Sequence, residues 1–564
     1  MKTQLLFLLN ITLFVTANGQ QIWENNYEVA GNGTYTPRIK QTSDSGFVIS
    51  AWGAGWAQGN PAPCSMDWNL ILLKVDKLGV RQWSQVVDLD NQRDEGLGVE
   101  VLRNSYYVGG MTTYTLAGQG NVNAYLVKFD SLGNKLWDKA YGCATSYNEA
   151  QTMCKSTNST FLLAGDYALV SGSKYIDWVT KVDSAGSILW SYGYEEPGHN
   201  FMSEVIQTIA PTTDGGCIVG SFDPNTARNM YILKLDANGD TLWAKEVGIL
   251  SGSAEAELNS IIQTADGGYV LAGGTLADTF TSIGGNNSDP FIVKLDAAGN
   301  FVWASTYEGV GSTYYDEEAK SVVQSADGGY VICGTEYISG YEDNIFYMKI
   351  DPLGNVLWAK QNPGIEGLYS GYRDYGSDVI TTMDGGYVAT GDFGTNIIPS
   401  YTCSTSAFIV KMKADGISCH DINLTMNVKP VFVDVGDLHY NKNNVPLTII
   451  NNGGCLYSAT SLNEYSCNTV IVQSGINSEL SDKGFFVYPN PTNGIVNLSC
   501  FVDKQSDIYI KIMNVNGQII YSYNTKSIIG EYKHSIDMTS YAKGMYFMQT
   551  ITSGETITKK FVIN

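Results

Sequence analysis

Carboxylates return at one place in this sequence. Asp94 and Glu95, Glu149, Glu204, Glu257, Glu317 and Glu318, and Asp374 each stand just before a β-like run. Gathered on one rim, such groups could hold a hydrated Ca²⁺ or a cationic ligand. Two of them at a productive separation could instead cleave a glycosidic bond. The plainer role is to accept backbone hydrogen bonds and order the adjoining loops, since a repeated residue usually has a repeated structural job. Aromatic rings keep them company: Trp52, Trp56 and Trp68, Tyr314 and Tyr315, and Tyr369, Tyr372 and Tyr375 around Arg373. Rings beside acids and amides suit sugar stacking or contact with a protein. The ligand-binding set this defines is Glu95, Glu149, Glu204, Glu257, Glu318, Asp374, Tyr315, Tyr372 and Arg373.

Other chemistry has little support. The four histidines lie in no nucleophile elbow or HExxH motif, so no catalytic residue is assigned. No CxxC or His-rich spacing marks a zinc site, and no cofactor is implied beyond the Ca²⁺ considered above. Asp236-Ala-Asn238-Gly239-Asp240 faintly resembles a Ca²⁺ loop, but its Gly is misplaced for an EF-hand and a hairpin turn explains it. A formal net charge of −22 repels nucleic acid and anionic lipid.

The elements that must position these residues come from a repeat. Lys74-Val-Asp-Lys-Leu-Gly-Val-Arg-Gln-Trp83 returns at Lys128–Trp137, Lys181–Trp190, Lys234–Trp243, Lys294–Trp303 and Lys349–Trp358, with a worn copy from Lys411 to Cys419. Upstream in most copies stands a tight turn such as Asp327-Gly-Gly329. Each unit of roughly 53 to 62 residues reads as a four-stranded antiparallel meander, within the range of long propeller repeats. One such sheet cannot bury both faces, so the units must stack, with the Trp of strand four filling the wedge between neighbours. The expected fold is all-β: a seven-bladed β-propeller over 20–422. Gln21-Ile22-Trp23-Glu24 resembles strand four, so the N-terminal strand is expected to complete the last blade. The turns after strands one and three are short and the loops after two and four long, which places binding on the long-loop face.

The two ends carry addresses. Lys2, the apolar run Leu5–Val15 and Ala17-Asn18-Gly19 read as an export signal over 1–19. No later run has the roughly 18 apolar residues of a transmembrane helix. An exported chain permits disulfides among its ten cysteines. Cys143 with Cys154, and Cys455 with Cys467, are close enough in sequence to staple a loop or hairpin, whereas Cys217 and Cys333 read as buried thiols.

Residues 423–483 fit no repeat and read as a connector containing a few strands and the Cys455/Cys467 pair. From 484 a new module begins, a small Ig-like β-sandwich on its strand and turn pattern. It contains Tyr488-Pro489-Asn490-Pro491, then Asn514-Val515-Asn516-Gly517-Gln518, Gly544-Met545-Tyr546-Phe547 and Lys559-Lys560-Phe561. In this order the motifs resemble the type A C-terminal sorting domain of the type IX secretion system of Bacteroidetes. The repeats resemble, more loosely, delta-60-like repeats of Bacteroidetes surface propellers. The first resemblance implies recognition by the type IX secretion machinery, with Tyr488, Pro489, Asn490, Pro491, Gly517, Gly544, Lys559 and Lys560 as sorting signal. It implies a chain that is secreted or held at the outer cell surface.

Together these features lead to an exported propeller that binds a glycan or protein. The alternatives are a secreted carbohydrate-active hydrolase or lyase, and a purely structural surface component.

Overall fold

The structure, a computed structural model, describes residues 20–27, 33–54, 68–88, 94–113, 122–142, 146–156, 159–169, 175–195, 205–222, 229–249, 256–275, 288–309, 317–338, 342–362, 374–394, 405–419, 421–431, 433–438, 441–444, 448–451, 455–458, 464–469, 486–488, 492, 494–514, 518–552 and 555–563. Among the described residues all elements are strands, and the chain divides into two compact units, residues 1–472 and 473–564.

The larger unit holds seven five-stranded antiparallel sheets and is propeller-like. In sheets 1 to 6 the first four strands form a meander, within residues 33–88, 94–142, 146–195, 205–249, 256–309 and 318–362. Sheet 7 takes three strands from residues 375–412 and its fourth from Ile22–Tyr27, which pairs with Thr405–Met412 through Trp23↔Lys411 and Glu24↔Val410. The N-terminal strand therefore stands where the sequence placed it.

The repeated motif explains how neighbouring sheets meet. Trp83 of sheet 1 lies against the turn Gly133 of sheet 2, where an added Cβ would be 2.9 Å from the indole. The same pairing joins Trp137 to Gly186, Trp190 to Gly239, Trp243 to Gly299, Trp303 to Gly354 and Trp358 to Gly416. Trp23 of sheet 7 meets Gly79 of sheet 1. Thus the Gly of one copy accommodates the Trp of the copy before, and the last sheet meets the first in the same way. Apolar clusters occupy the same seams; one joins Trp23, Tyr27, Val388 and Ile409 of sheet 7 to Ile39, Phe47, Ile49, Leu73 and Val75 of sheet 1.

The motif's leading Lys has its own partner. Lys74, Lys234, Lys294, Lys349 and Lys411 are buried and bind the aspartate of their own sheet's first turn: Asp44, Asp214, Asp266, Asp327 and Asp384. Sheets 2 and 3 lack that aspartate. There Lys128 instead lies 5.2 Å over the Tyr107 ring, and Lys181 donates to Ala237 O.

The segment expected as a connector does more than join two modules. Its strands each add a fifth member to a sheet: Ile422–Asn423 to sheet 6, Met426–Pro430 to sheet 5, Val433–Leu438 to sheet 4, Asn441–Asn444 to sheet 3, Thr448–Asn451 to sheet 2, Cys455–Ser458 to sheet 1 and Glu464–Thr469 to sheet 7. The segment is a belt that visits the sheets in reverse order and covers the outer edge of each fourth strand. An unpaired edge invites association with other chains, which is the physical reason for covering it.

One expected cysteine pairing needs correction. Cys154 is a buried free thiol in the apolar cluster between sheets 3 and 4, so no Cys143–Cys154 bridge forms; Cys143 lies outside the described residues. Cys455 and Cys467 sit on fifth strands of different sheets rather than on one hairpin, and their side chains lie outside the described residues. Cys217 and Cys333 are buried free thiols. Cys419, which takes the Trp place in the worn copy, is disulfide-bonded.

The C-terminal unit is one connected antiparallel sheet of strands Phe486–Tyr488, Ile495–Asn514, Ile519–Asp537, Gly544–Thr552 and Glu555–Ile563 around an apolar core that includes Val496, Ile510, Met548 and Phe561. The long hairpin loses register between Val502 and Ser506. Tyr521 Oη is 3.0 Å from His534 Nε2, though thirteen residues along a straight strand would span roughly 40 Å. The hairpin therefore doubles over on itself. Of the residues expected as sorting signal, Tyr488 lies on the first strand, Gly544 opens the fourth, and Lys559 and Lys560 lie on the last, whereas Pro489, Asn490, Pro491 and Gly517 lie outside the described residues.

Candidate binding surface on the long-loop side

The first strand of each sheet, its inner strand, starts on the long-loop side, and the expected acids fall in two alternating registers there. Glu95, Glu149, Glu257 and Glu318 immediately precede the β-bulge of their inner strands, which begins at Gly96, Ala150, Leu258 and Ala319. Asp374 stands one residue further back, before the bulge at Gly376, in register with Asp94 and Glu317. Neighbouring residues of a strand point to opposite faces, so the two sets face different ways.

The placed acids are engaged. Glu149 Oε1 accepts from Gln151 Nε2 at 2.6 Å, and Glu318 pairs with Lys320. Glu317 is buried and accepts from Gly309 N at 3.2 Å. These are structural jobs. Glu204, Tyr315, Tyr372 and Arg373 lie outside the described residues. Among the described residues no group of three His, Cys, Asp or Glu side chains is arranged to hold a metal ion.

Sheet 1 breaks the pattern. Where other copies carry acids it has Thr34-Tyr35, followed by Thr36-Pro37-Arg38, and there the rings of Tyr35 and Trp52 stack with centroids 4.5 Å apart. Trp68 lies against Trp52 at 4.7 Å. All three rings are half-buried, at the long-loop ends of three adjacent strands. Thr36 and Pro37 are unpaired opposite Ala51, and Thr36 takes a φ of 47°. The other described non-glycine residues with positive φ, Ser45, Arg103 and Ser159, sit in first hairpin turns. A β-branched residue held at positive φ costs on the order of 1–3 kcal/mol and persists only where its surroundings impose it.

The surroundings here come largely from sheet 7. Asp392 Oδ2 accepts from Thr36 N at 3.1 Å, Thr390 Oγ1 donates to Pro37 O at 2.8 Å, and Arg38 Nη1 donates to Ser377 O at 2.8 Å. Within sheet 1, Trp52 Nε1 donates to Thr36 Oγ1 at 2.8 Å. The strained bulge thus links the seam between the last and first sheets to the stacked rings.

Trp52 and Trp68 are visible in the sequence as loop-flanking aromatics. Tyr35, Thr36 and Asp392 are not singled out there. The available signal is negative: the first copy lacks the acid found at this point in other copies.

Residues 486–564 match the model of the secretion system C-terminal sorting domain. The chain therefore carries a type IX sorting domain and is exported, to be secreted or placed at the cell surface. No curated protein matches the chain. Among solved structures, the chain is similar to a protein of unknown function from Dyadobacter fermentans DSM 18053, at 12% identity and a TM-score of 0.36, over 70% of this chain and 99% of that one. It is similar to a family 43 arabinoxylan arabinofuranohydrolase from Bacillus subtilis, in complex with cellotetraose, at 12% identity and a TM-score of 0.28, over 82% and 94% of the two chains. A GH43_1 enzyme from Xanthomonas citri gives 10% identity and a TM-score of 0.26, over 70% and 92%. Likenesses this remote carry no argument about activity.

Proposed function

We infer that the larger unit is a closed seven-bladed propeller that, once exported, binds an extracellular glycan on its long-loop side. The observation that carries this reading is the stack of Tyr35, Trp52 and Trp68, half-buried beside the long loop of sheet 1. Flat apolar rings with polar neighbours suit the apolar faces of sugars. The net charge of −22 favours a neutral polysaccharide over a polyanionic one. Binding is preferred to hydrolysis because the placed acids Glu149, Glu317 and Glu318 already serve Gln151, Gly309 and Lys320. A glycan array probed with the secreted chain and with its Trp52→Ala variant tests the reading. Binding to neutral glycans that the variant loses is expected. Wild-type silence across the array, or equal binding by both proteins, contradicts it.

A further inference from the structure

The ring stack is fastened from across the seam by one buried carboxyl. Asp392 sits near the end of the second strand of sheet 7, Tyr387–Gly394, and is 5% exposed. Its Oδ2 accepts from the strained Thr36 N–H, and Thr36 Oγ1 in turn accepts from the indole N–H of Trp52. Among the described residues Asp392 Oδ1 has no hydrogen-bond partner.

The fastening has counterparts elsewhere. Thr335 Oγ1 of sheet 6 accepts from Gly376 N of sheet 7 at 3.2 Å, and Asp166 Oδ1 of sheet 3 accepts from Ile206 N of sheet 4 at 3.3 Å. A second-strand side chain thus caps an inner-strand N–H of the next sheet, and a neutral Thr suffices. At the seam between sheets 7 and 1 the capped residue also bonds an indole of the stack, and the cap can ionise.

We propose that Asp392 is a proton-operated latch on the Tyr35–Trp52–Trp68 platform, closed when its carboxyl is neutral and released when the carboxyl ionises in its buried seam. Rising pH therefore loosens the platform and weakens its hold on a ligand. Burial, opposed by the Thr36 N–H and the nearby Arg38 charge, pushes this carboxyl up to about 8.

The ionisable groups bordering it can be named element by element. The inner strand of sheet 7 and the residue before it bring Asp374, Tyr375 and Asp378. The inner strand of sheet 1 brings Tyr35, Arg38 and Lys40, and Lys40 is committed to Glu100 at 3.3 Å. The third strand of sheet 7 sets Ala407 opposite Asp392, and its Lys411 is held by Asp384 at the other end. The second strand of sheet 1 contributes no ionisable residue.

The inference rests on the glycan-binding reading for its ligand but not for its latch, and the test separates the two. The adjacent indoles of Trp52 and Trp68, with centroids 4.7 Å apart, should give an exciton-coupled far-ultraviolet circular-dichroism signal, which Trp68→Phe identifies. That signal is followed in the secreted chain from pH 6 to pH 9, alongside affinity for a neutral polysaccharide chosen on the array. Expected is a fading signal, with affinity falling by up to about tenfold for each pH unit above the transition, the limit for one linked proton. Asp392→Asn, and Asp392→Thr, which copies the neutral cap Thr335, should hold both signal and affinity constant. A wild-type signal unchanged over this range overturns the latch whatever the ligand. So does the same titration persisting in the Asn and Thr variants. A signal that titrates only in wild type, with no polysaccharide bound at any pH, upholds the latch and overturns the glycan reading.

Discussion

Gly299 takes a φ of 79°, and a Cβ there would come 3.0 Å from the Trp243 ring. Gly299→Ala therefore combines backbone strain with a clash in a seam, and should cost about 2 kcal/mol. A clear drop in the urea midpoint is expected; an unmoved midpoint would show that the Trp–Gly contact does not hold the sheets together. The motif's charges make a second residue-scale prediction. The hydrogen bond from Lys349, then that from Ser325, lowers Asp327 from 3.8 to about 2. Its contribution is present above the unfolded value and lost as pH falls from about 4 through about 2. Burial raises Asp177 from 3.8 to about 7, so its contribution is full below about 4 and lost as pH rises through about 7. Stability should thus peak in mildly acidic solution. Asp327→Asn should make the acid limb of a stability–pH curve shallower and Asp177→Asn the alkaline limb, the other lowered aspartates and Asp392 retaining the rest; a wild-type curve level from pH 3 to pH 8 contradicts both assignments. The Trp and Gly positions were legible because they recur at fixed spacing. Their contact was not, since it joins the Gly of one copy to the Trp of the copy before. The Lys–Asp pair was equally hidden, because its members lie 22 residues apart in Asp327 and Lys349.

At the scale of elements, the meanders and the strand-four role of Ile22–Tyr27 could be read from turns and a repeated Trp. The belt could not. Its strands are as short as Ile422–Asn423 and carry neither Trp nor a tight Asp-Gly turn, so nothing in them announces pairing with a partner far back in the chain. The covered edges make them consequential. A chain truncated after residue 420 would leave seven fourth strands with an open edge. It should associate or precipitate in light scattering where the intact chain stays monodisperse. A truncated chain that remains monomeric with an unchanged melting temperature would show the belt to be ornamental.

For the whole molecule, the contact of sheet 7 with sheet 1 matters most. That seam joins the first strand to the last repeat, holds Trp23 against Gly79, and fixes the bulge beneath Tyr35. The candidate acids were easier to read from sequence because they repeat, although the structure gives Glu149, Glu317 and Glu318 partners of different kinds. The platform was harder to read because it arises where the repeat is broken, from Thr36 and Asp392, more than 350 residues apart. The sorting domain lies apart from both, in the C-terminal unit. The most direct measurement is calorimetric titration of a neutral polysaccharide into wild type, Trp52→Ala and Trp68→Ala at pH 6. Saturable wild-type binding, weakened about tenfold or more by either substitution, is the expected result. Binding that both variants retain at full strength would place the ligand elsewhere and contradict the account.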